Sequence, residues 1–307
     1  MALNKELWLN TVVENFYPDN SFATKSIDDS AFVNNKTVHI PNAGAPSGVK
    51  TNRTQKPASV TSRNDNDLTY DIDELTTDPI YISDIEKTEL SYDKRQSVIA
   101  NDRQQLQDEA AQNLLYRWGN TDVVFKTTGD AAEAHTSTTA TGYRKSIVKH
   151  DIMKLNIKFN TDNVPQSDRY LLLDAVMYAQ LLEDLTDKEL SAFIASADAQ
   201  KGILGQLYSF NIMLRSSVLR TTIVSNKPVV LPWSDNAVAT ECAAGLAWQK
   251  SCVSRAMGEV KMFDKTNDPA YYGDIYSFLV RTGGGLRRYD KKGVALLIQD
   301  QAEAPAA

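Results

Sequence analysis

The side chains that most often carry chemistry are few in this sequence and far apart. The histidines His39, His135 and His150 lie in separate segments; each could act as a general base, but exposed side chains without a catalytic role are the better interpretation. Cys242 and Cys252 are ten residues apart without a neighbouring histidine, which matches no zinc spacing and favours buried free thiols. The sequence also lacks a phosphate-binding loop, a dinucleotide fingerprint and a nucleophile elbow. We therefore expect no enzyme, catalytic residue, cofactor or metal.

One cluster of charge could bind a ligand. Arg281, Arg287, Arg288, Lys291 and Lys292 surround a glycine-rich turn in which Asp290 is the only acid. Lysine and arginine supply the non-specific part of nucleic-acid binding, so contact with phosphates is one interpretation. The alternative, a basic patch that meets an acidic surface of a neighbouring copy, is favoured because no aromatic residues alternate with the charges to stack on bases.

A complementary separation of charge occurs near the N-terminus. Residues 31–64 contain no acid, whereas residues 65–93 contain ten acids and a single base, Lys87. A protruding arm with a basic tip and an acidic stem would be self-complementary between neighbouring copies, and such charges set register more than affinity. A solvated surface loop of mixed charge is the alternative. The residues expected at contacts between subunits are Lys50, Arg53, Lys56, Arg63, Asp71, Asp73, Glu74, Glu86, Glu89, Arg287, Arg288, Lys291 and Lys292.

Composition and length limit the class of protein. The chain has 307 residues, of which 42% are apolar and 23% charged, as in soluble globular proteins. It has no apolar run long enough for a transmembrane helix and no signal-peptide pattern, so we expect no membrane partner and synthesis in the cytoplasm. A net charge of −6 argues against a surface that binds nucleic acid throughout.

Apolar residues are unevenly distributed along the chain. Residues 34–67 contain only Val38, Ile40, Val49 and Val60 as large apolar side chains, whereas residues 168–224 contain 25. The first stretch nevertheless has strand patterning at both ends, which predicts a long two-stranded hairpin. Such a hairpin has only marginal stability in water when it packs against nothing else. We therefore expect this stretch to lie on another copy of the protein.

The remaining elements indicate a mixed fold. Tyr92 to Trp118 lacks glycine and proline and predicts a long strut helix of about 40 Å. The small polar residues 127–146 predict a loop. The order of the other elements, without regular alternation of strand and helix, favours an α+β class. The predictions are an amphipathic helix marked by Ile152, Leu155 and Phe159 that ends before Val164, a strand at 170–173, a helix after Asp174, a helix from the Thr186 capping box through Ala197 that stops at Gly202, strands within 205–224, and closing strands 275–280 and 294–298 separated by Gly283–Gly285 and a basic turn.

Several phrases in this order resemble the major capsid proteins of tailed double-stranded DNA bacteriophages. They are Val38-His-Ile-Pro41, Tyr70-Asp-Ile-Asp-Glu-Leu75 followed by Ser91-Tyr-Asp-Lys-Arg95, Asn163-Val-Pro-Gln-Ser-Asp-Arg-Tyr-Leu-Leu-Leu173, Asp268-Pro-Ala-Tyr-Tyr-Gly-Asp274 and Arg287-Arg-Tyr-Asp-Lys-Lys-Gly293. The resemblance covers roughly residues 1–298 and rests on the order of these motifs. It implies the major capsid protein fold, which encapsulins share. The implied segments are an N-terminal arm 1–37, an extended β-hairpin loop 38–85, a peripheral domain 86–167 with spine helix 91–118, an axial domain 168–255, and return strands of the peripheral domain with a C-terminal tail at 256–307.

The resemblance also implies a function and partners. The chain would assemble as pentamers and hexamers into an icosahedral shell around packaged double-stranded DNA, which it would contact non-specifically, and it would end in the virion. The resemblance implies a portal as a partner. We also expect a scaffolding protein that is a separate chain, because there is no room before residue 38 for a long cleavable scaffolding segment. Some family members crosslink a loop lysine to a neighbour's asparagine; no motif here predicts that bond for Lys50 or Lys56. The alternatives are an encapsulin-type nanocompartment, a small hydrolase that uses an acidic pair, and a nucleic-acid binder that uses the basic cluster.

Overall fold

The structure, a computed structural model, describes residues 21–34, 36–43, 49, 51–54, 60, 62, 65–84, 94–119, 122–224 and 227–304. The α-helices within these ranges are α1 (Lys94–Trp118), α2 (Lys149–Thr161), α3 (Ala175–Asp184) and α4 (Asp187–Ala195). The strands are β1 (Ile27–Asp28), β2 (Val33–Asn34), β3 (Thr37–Asn42), β4 (Asn66–Asp71), β5 (Asp73–Thr76), β6 (Ile80–Ser83), β7 (Val124–Lys126), β8 (Ala131–Glu133), β9 (Tyr143–Lys145), β10 (Arg169–Leu173), β11 (Gly205–Leu207), β12 (Phe210–Leu214), β13 (Leu219–Val224), β14 (Lys227–Leu231), β15 (Cys242–Gln249), β16 (Val253–Asp268), β17 (Gly273–Leu286), β18 (Val294–Ile298) and β19 (Gln301–Ala302). None of the helices in these ranges is long and apolar enough to cross a membrane.

The predicted strut is confirmed as α1. Leu106, Ala110, Leu114 and Trp118 are buried along one side of it, because spacings of four residues return to the same helix face. The helix ends where Gly119 N donates to Leu115 O at 2.8 Å. Its buried side faces β17, so the helix is held by tertiary packing along one face.

A long antiparallel hairpin of β16 and β17 forms the centre of a five-stranded sheet. Its register runs from Val253 opposite Leu286 to Asp268 opposite Gly273, with β1 on one side and β5 and β6 on the other. Strand β16 was not predicted, because Phe263 to Asn267 point largely to solvent and show no apolar alternation. The prediction that Gly283–Gly285 separates two strands is wrong, since the triplet lies inside β17.

The glycine triplet lies in the strand because elements approach it from both sides. A Cβ at Gly284 would collide with Leu114 of α1, whereas a Cβ at Gly285 would lie 2.9 Å from the Tyr70 ring. Real Cβ atoms do not come so close, so only glycine lets both the helix and β4 contact this strand.

The second, eight-stranded sheet has the order β11-β12-β10-β15-β13-β14, with β18 paired to β15 and β7 paired to β18. Both of its faces are covered, so its central strands are apolar on both sides. In β10, Tyr170 and Leu172 face α1 and the N-terminal segment, whereas Leu171 and Leu173 face α2 to α4. Val294–Ile298, the second of the predicted closing strands, is confirmed as β18 and lies in this sheet, antiparallel to β15.

Of the predictions for the smaller elements, the capping box at Thr186 is confirmed and the loop at 127–146 is not. In the capping box, Glu189 Oε2 accepts from Thr186 N at 3.0 Å, and the helix that it opens ends at Ala195, before the predicted stop at Gly202. The loop prediction for residues 127–146 is wrong in two places, where β8 and β9 form a hairpin that β19 extends. Arg144 of β9 fixes this hairpin by donating from Nε to Glu241 O at 2.9 Å, a distant partner that composition does not indicate.

Candidate assembly surfaces

The base of the N-terminal hairpin is attached to its own chain. Strands β3 and β4 pair from Thr37 opposite Asp71 to Asn42 opposite Asn66. Val38 and Ile40, 0% and 7% exposed, pack with Ile72 and Ala256 in a small core. The expectation that residues 34–67 depend wholly on another copy is therefore wrong for the base, because the five-stranded sheet supplies part of the missing core.

The region beyond the base is different. Of the residues described there, Val49 and Val60 are each 96% exposed and Arg53 is exposed. Lys50, Lys56 and Arg63 lie outside the described residues. Val49 and Val60 are therefore available for contact with a second surface.

The predicted acidic residues of the stem contact basic or polar groups of the same chain. Asp73 accepts from Arg117 Nη2 at 2.5 Å and from Asn113 Nδ2 at 2.7 Å, which ties β5 to α1. Glu74 Oε2 lies 3.0 Å from Arg281 Nη2. Asp71 Oδ1 accepts from the Thr37 hydroxyl at 2.7 Å. Glu86 and Glu89 lie outside the described residues.

The predicted basic cluster also has acidic partners within the chain. Arg288 Nη2 lies 2.9 Å from Asp290 Oδ2, and Lys292 Nζ lies 3.9 Å from the same atom. The distances are 3.0 Å from Lys291 Nζ to Asp122 Oδ2 and 3.3 Å from Arg287 Nε to Asp29 Oδ2. These partners reduce the positive potential available to a phosphate backbone. The structure contains one chain, so contacts of these residues with another subunit stay predictions.

A groove that the sequence analysis did not find lies between the hairpin stem, α1 and β14, with a volume of about 930 Å³. Among the described residues, strand β14 is an edge of the eight-stranded sheet and β4 is an edge of the three-stranded sheet β2-β3-β4, and residues of both strands line the groove. Its lining combines aromatic, apolar and charged side chains, among them Tyr70, Glu109, Tyr116, Asp122, Val229, Trp233 and Tyr289.

The far end of the β16–β17 hairpin presents two tyrosines. Tyr271 and Tyr272 are 58% and 79% exposed. Their backbone nitrogens donate to Asp268 O at 3.2 and 2.7 Å, and the Tyr81 hydroxyl donates to Tyr271 O at 2.5 Å. The turn is therefore fixed while its aromatic rings stay in solvent, as at a contact surface.

The remaining titratable groups form structural contacts. His39 Nδ1 lies 2.7 Å from Asp67 Oδ2 at the exposed stem, and His135 Nε2 lies 3.0 Å from Asp174 Oδ2, the carboxylate that caps α3. Burial raises the pKa of the Cys242 thiol, which leaves it a poor nucleophile at neutral pH. Within the ranges that the structure describes, no group of three histidine, cysteine or acidic side chains could hold a metal ion.

Comparison with known proteins gives no relative by sequence: no protein-family model and no curated protein matches the chain. Solved structures do match. A chain of the capsid of the cyanophage P-SCSP1u covers 91% of this chain over 87% of its own length, with a TM-score of 0.61 and 16% identity. For the capsid of Ralstonia phage GP4 the values are 92%, 88%, 0.63 and 13%. For the virus-like particle from Pyrococcus furiosus they are 96%, 99%, 0.54 and 11%.

These matches span most of both chains at low identity, so they establish the fold. The chain has the α+β fold of the tailed-phage capsid proteins, as the sequence predicted, and the Pyrococcus particle shares it.

Proposed function

We propose that this chain, which has the tailed-phage capsid protein fold, is a major capsid protein that assembles with copies of itself into a closed icosahedral shell around double-stranded DNA. The observation that carries the proposal is the match over about nine tenths of the chain to proteins of phage capsids. A protruding hairpin with a paired base and exposed valines supports it, because such an element is completed by a neighbour.

The two large sheets would belong to different domains. In this proposal, the five-stranded sheet with α1 belongs to the peripheral domain, and the eight-stranded sheet belongs mainly to the axial domain at 168–255, where the subunits of a pentamer or hexamer meet. Strand β18 lies in the eight-stranded sheet, whereas β16 and β17 lie in the five-stranded sheet. The return segment at 256–307 would therefore contribute strands to both domains.

The hairpin would connect neighbouring subunits. Its basic segment, with Arg53, Lys50 and Lys56, is complementary to exposed acids such as Glu109 at the groove between α1 and β14. Opposite charges would set the register of this contact, whereas burial of Val49 and Val60 would supply most of the affinity.

Deletion of residues 44–64 tests this role. The base pairs Asn42 opposite Asn66, so a short turn can close the shortened hairpin without disturbing β3 and β4. We expect a soluble subunit that forms no closed shell. A second, milder variant replaces Val49 and Val60 by serine in the full-length chain. We expect weaker assembly from it, with an unchanged subunit fold. Normal particles from the deletion variant would refute the role of the hairpin.

The other proposed partners follow from the same function. A scaffolding protein and a portal would take part in assembly in the host cytoplasm, and the finished shell would belong to the virion. An encapsulin-type shell is the second candidate, because the match to the Pyrococcus virus-like particle covers 96% and 99% of the two chains. Nuclease-protected DNA in purified particles supports the capsid, and a protein cargo in its place supports the nanocompartment.

A further inference from the structure

Two consecutive acids in the N-terminal segment have opposite surroundings. Asp28 has a side chain that is 53% exposed, with Oδ2 3.2 Å from Arg255 Nη2. Asp29 has a side chain that is 2% exposed, with Oδ2 3.3 Å from Arg287 Nε. Strand β1 ends at Asp28 and runs along β16, whereas Asp29 follows it with φ −104° and ψ 15°, outside the strand. One acid therefore faces solvent and the other faces the interior.

Asp29 lies where three parts of the chain meet. Tyr70 comes from the hairpin stem, Ser254 comes from β16, and Arg287 follows β17; these are the polar groups that face the carboxyl, and the charge of Asp28 acts on it from the other side. Among the described residues, Asp29 Oδ2, the Tyr70 hydroxyl and Arg287 Nε make no well-aligned hydrogen bond, although the Ser254 side chain is close to the first two. The cluster is buried, yet its polar groups are incompletely satisfied.

The N-terminal segment and the hairpin are both attached at this cluster. Asp29 N donates to Arg255 O at 2.8 Å, and Met257 N donates to the Ser30 hydroxyl at 2.9 Å, so residues 28–30 are fixed to β16. On the hairpin side, Asn42 Nδ2 donates to Arg287 O at 3.0 Å. A change in the charge of Asp29 therefore acts on both segments.

Protonation of Asp29 would add a hydrogen-bond donor to the cluster, while Arg287 would lose the negative charge of its partner. An ionised carboxylate only accepts hydrogen bonds, whereas a protonated carboxyl also donates, which would provide a partner for the Tyr70 or Ser254 oxygen. Burial raises the pKa of Asp29, and the attraction of Arg287 offsets this only in part. A raised pKa in the folded protein means that the folded state binds the proton more tightly, so stability from this group increases as the pH falls through that pKa.

We propose that Asp29 is an acid-responsive latch, whose protonation tightens the docking of residues 21–34 onto β16 and onto the base of the hairpin. The latch is a property of the single chain and does not depend on shell assembly. Asp28 responds in the opposite sense, because hydrogen bonds from Ser30 and the charge of Arg255 outweigh burial and lower its pKa. Its contribution to stability is lost only below its ordinary pKa, outside the range in which Asp29 acts.

Hydrogen exchange of the full-length chain between about pH 7 and about pH 4.5, corrected for intrinsic rates, tests the latch. In the wild type we expect slower exchange at the lower pH for residues 27–34 and 66–71 together, by up to about tenfold for each unit by which the pKa of Asp29 is raised. The variant Asp29→Asn resembles the neutral acid, so we expect the slow exchange at both pH values.

Asp28→Asn is the matched control and should keep most of the wild-type difference between the two pH values, because the charge of Asp28 is the smallest of the causes that act on the pKa of Asp29. Tyr70→Phe retains Asp29 but removes the hydroxyl, so it should reduce the acid effect and keeps the test valid if Asp29→Asn does not fold. A wild-type chain without the acid effect, or an acid effect that persists unchanged in Asp29→Asn or in Tyr70→Phe, would overturn the proposal.

Discussion

The guanidinium of Arg117, near the end of α1, holds the carboxylate of Asp73 at the start of β5 through two nitrogens. Nη2 lies 2.5 Å from Oδ1 and Nε lies 3.1 Å from Oδ2, and Asn113 Nδ2 donates to the same carboxylate. Two parallel hydrogen bonds fix an angle as well as a distance. The pair therefore fixes the start of β5, which directly follows the hairpin stem, in its orientation against α1.

Replacement of Arg117 by alanine should lower the free energy of unfolding by about 1 kcal/mol, a value at the upper end for partly exposed pairs because the contact is bidentate. Arg117→Lys should recover only part of the loss, since an ammonium group cannot make both bonds in the same plane. Denaturant titrations in a double-mutant cycle with Asp73→Ala measure the coupling. Equal stability of Arg117→Ala and wild type would contradict the assigned role.

Gly284→Ala should destabilise the subunit by about 1–3 kcal/mol, the usual cost of overpacking. The added methyl group would meet Leu114, and the neighbouring Trp118 Nε1, which donates to Ser254 O at 2.9 Å, cannot move without losing that bond. Ser277→Ala in the same strand is the control, because its side chain is half-buried and should change stability little. Thermal unfolding of the three proteins decides the matter; the same midpoint for all of them would be inconsistent with close packing at the triplet.

The buried pair of Arg220 and Glu241 holds the loop after β14. Arg220 Nη1 lies 3.0 Å from Glu241 Oε1, both side chains are at most 3% exposed, and the guanidinium stacks on the Trp233 ring at 4.9 Å. Glu241→Gln should cost about 3–5 kcal/mol, because it leaves a buried charge without its counter-charge. Asp198→Asn, which removes the exposed partner of Lys201, should have a much smaller effect on unfolding. If the two variants lower the free energy of unfolding by similar amounts, the claim that burial makes the Arg220–Glu241 pair more important than an exposed pair is wrong.

Acid sensitivity of α4 should depend on Glu189. Hydrogen bonds from Lys149 and from Thr186 lower the pKa of Glu189 from 4.5 to about 2. A lowered pKa in the folded protein means that its stabilisation is present above about pH 4.5 and is lost as the pH falls towards 2. Glu189→Gln should therefore remove this part of the acid dependence, measured as exchange protection of residues 187–195 against pH, while Asp187→Asn in the same turn should retain it.

Local signals in the sequence predicted elements that local chemistry determines. The long helix follows from the absence of glycine and proline between Tyr92 and Trp118, and α4 begins at the capping box of Thr186. Elements that distant partners determine were missed: β16 has a half-exposed surface, and the triplet at Gly283–Gly285 looks like a turn until α1 and β4 are placed beside it. The groove and the Asp29 cluster join residues more than a hundred positions apart, so spacing along the chain could not indicate them.

Negative-stain electron microscopy of the full-length protein, expressed together with its scaffold, tests the central claim most directly. The proposed function predicts closed icosahedral particles of megadalton mass that protect DNA from nuclease when genome packaging is also supplied. A monodisperse 34.1 kDa monomer under every such condition would contradict it.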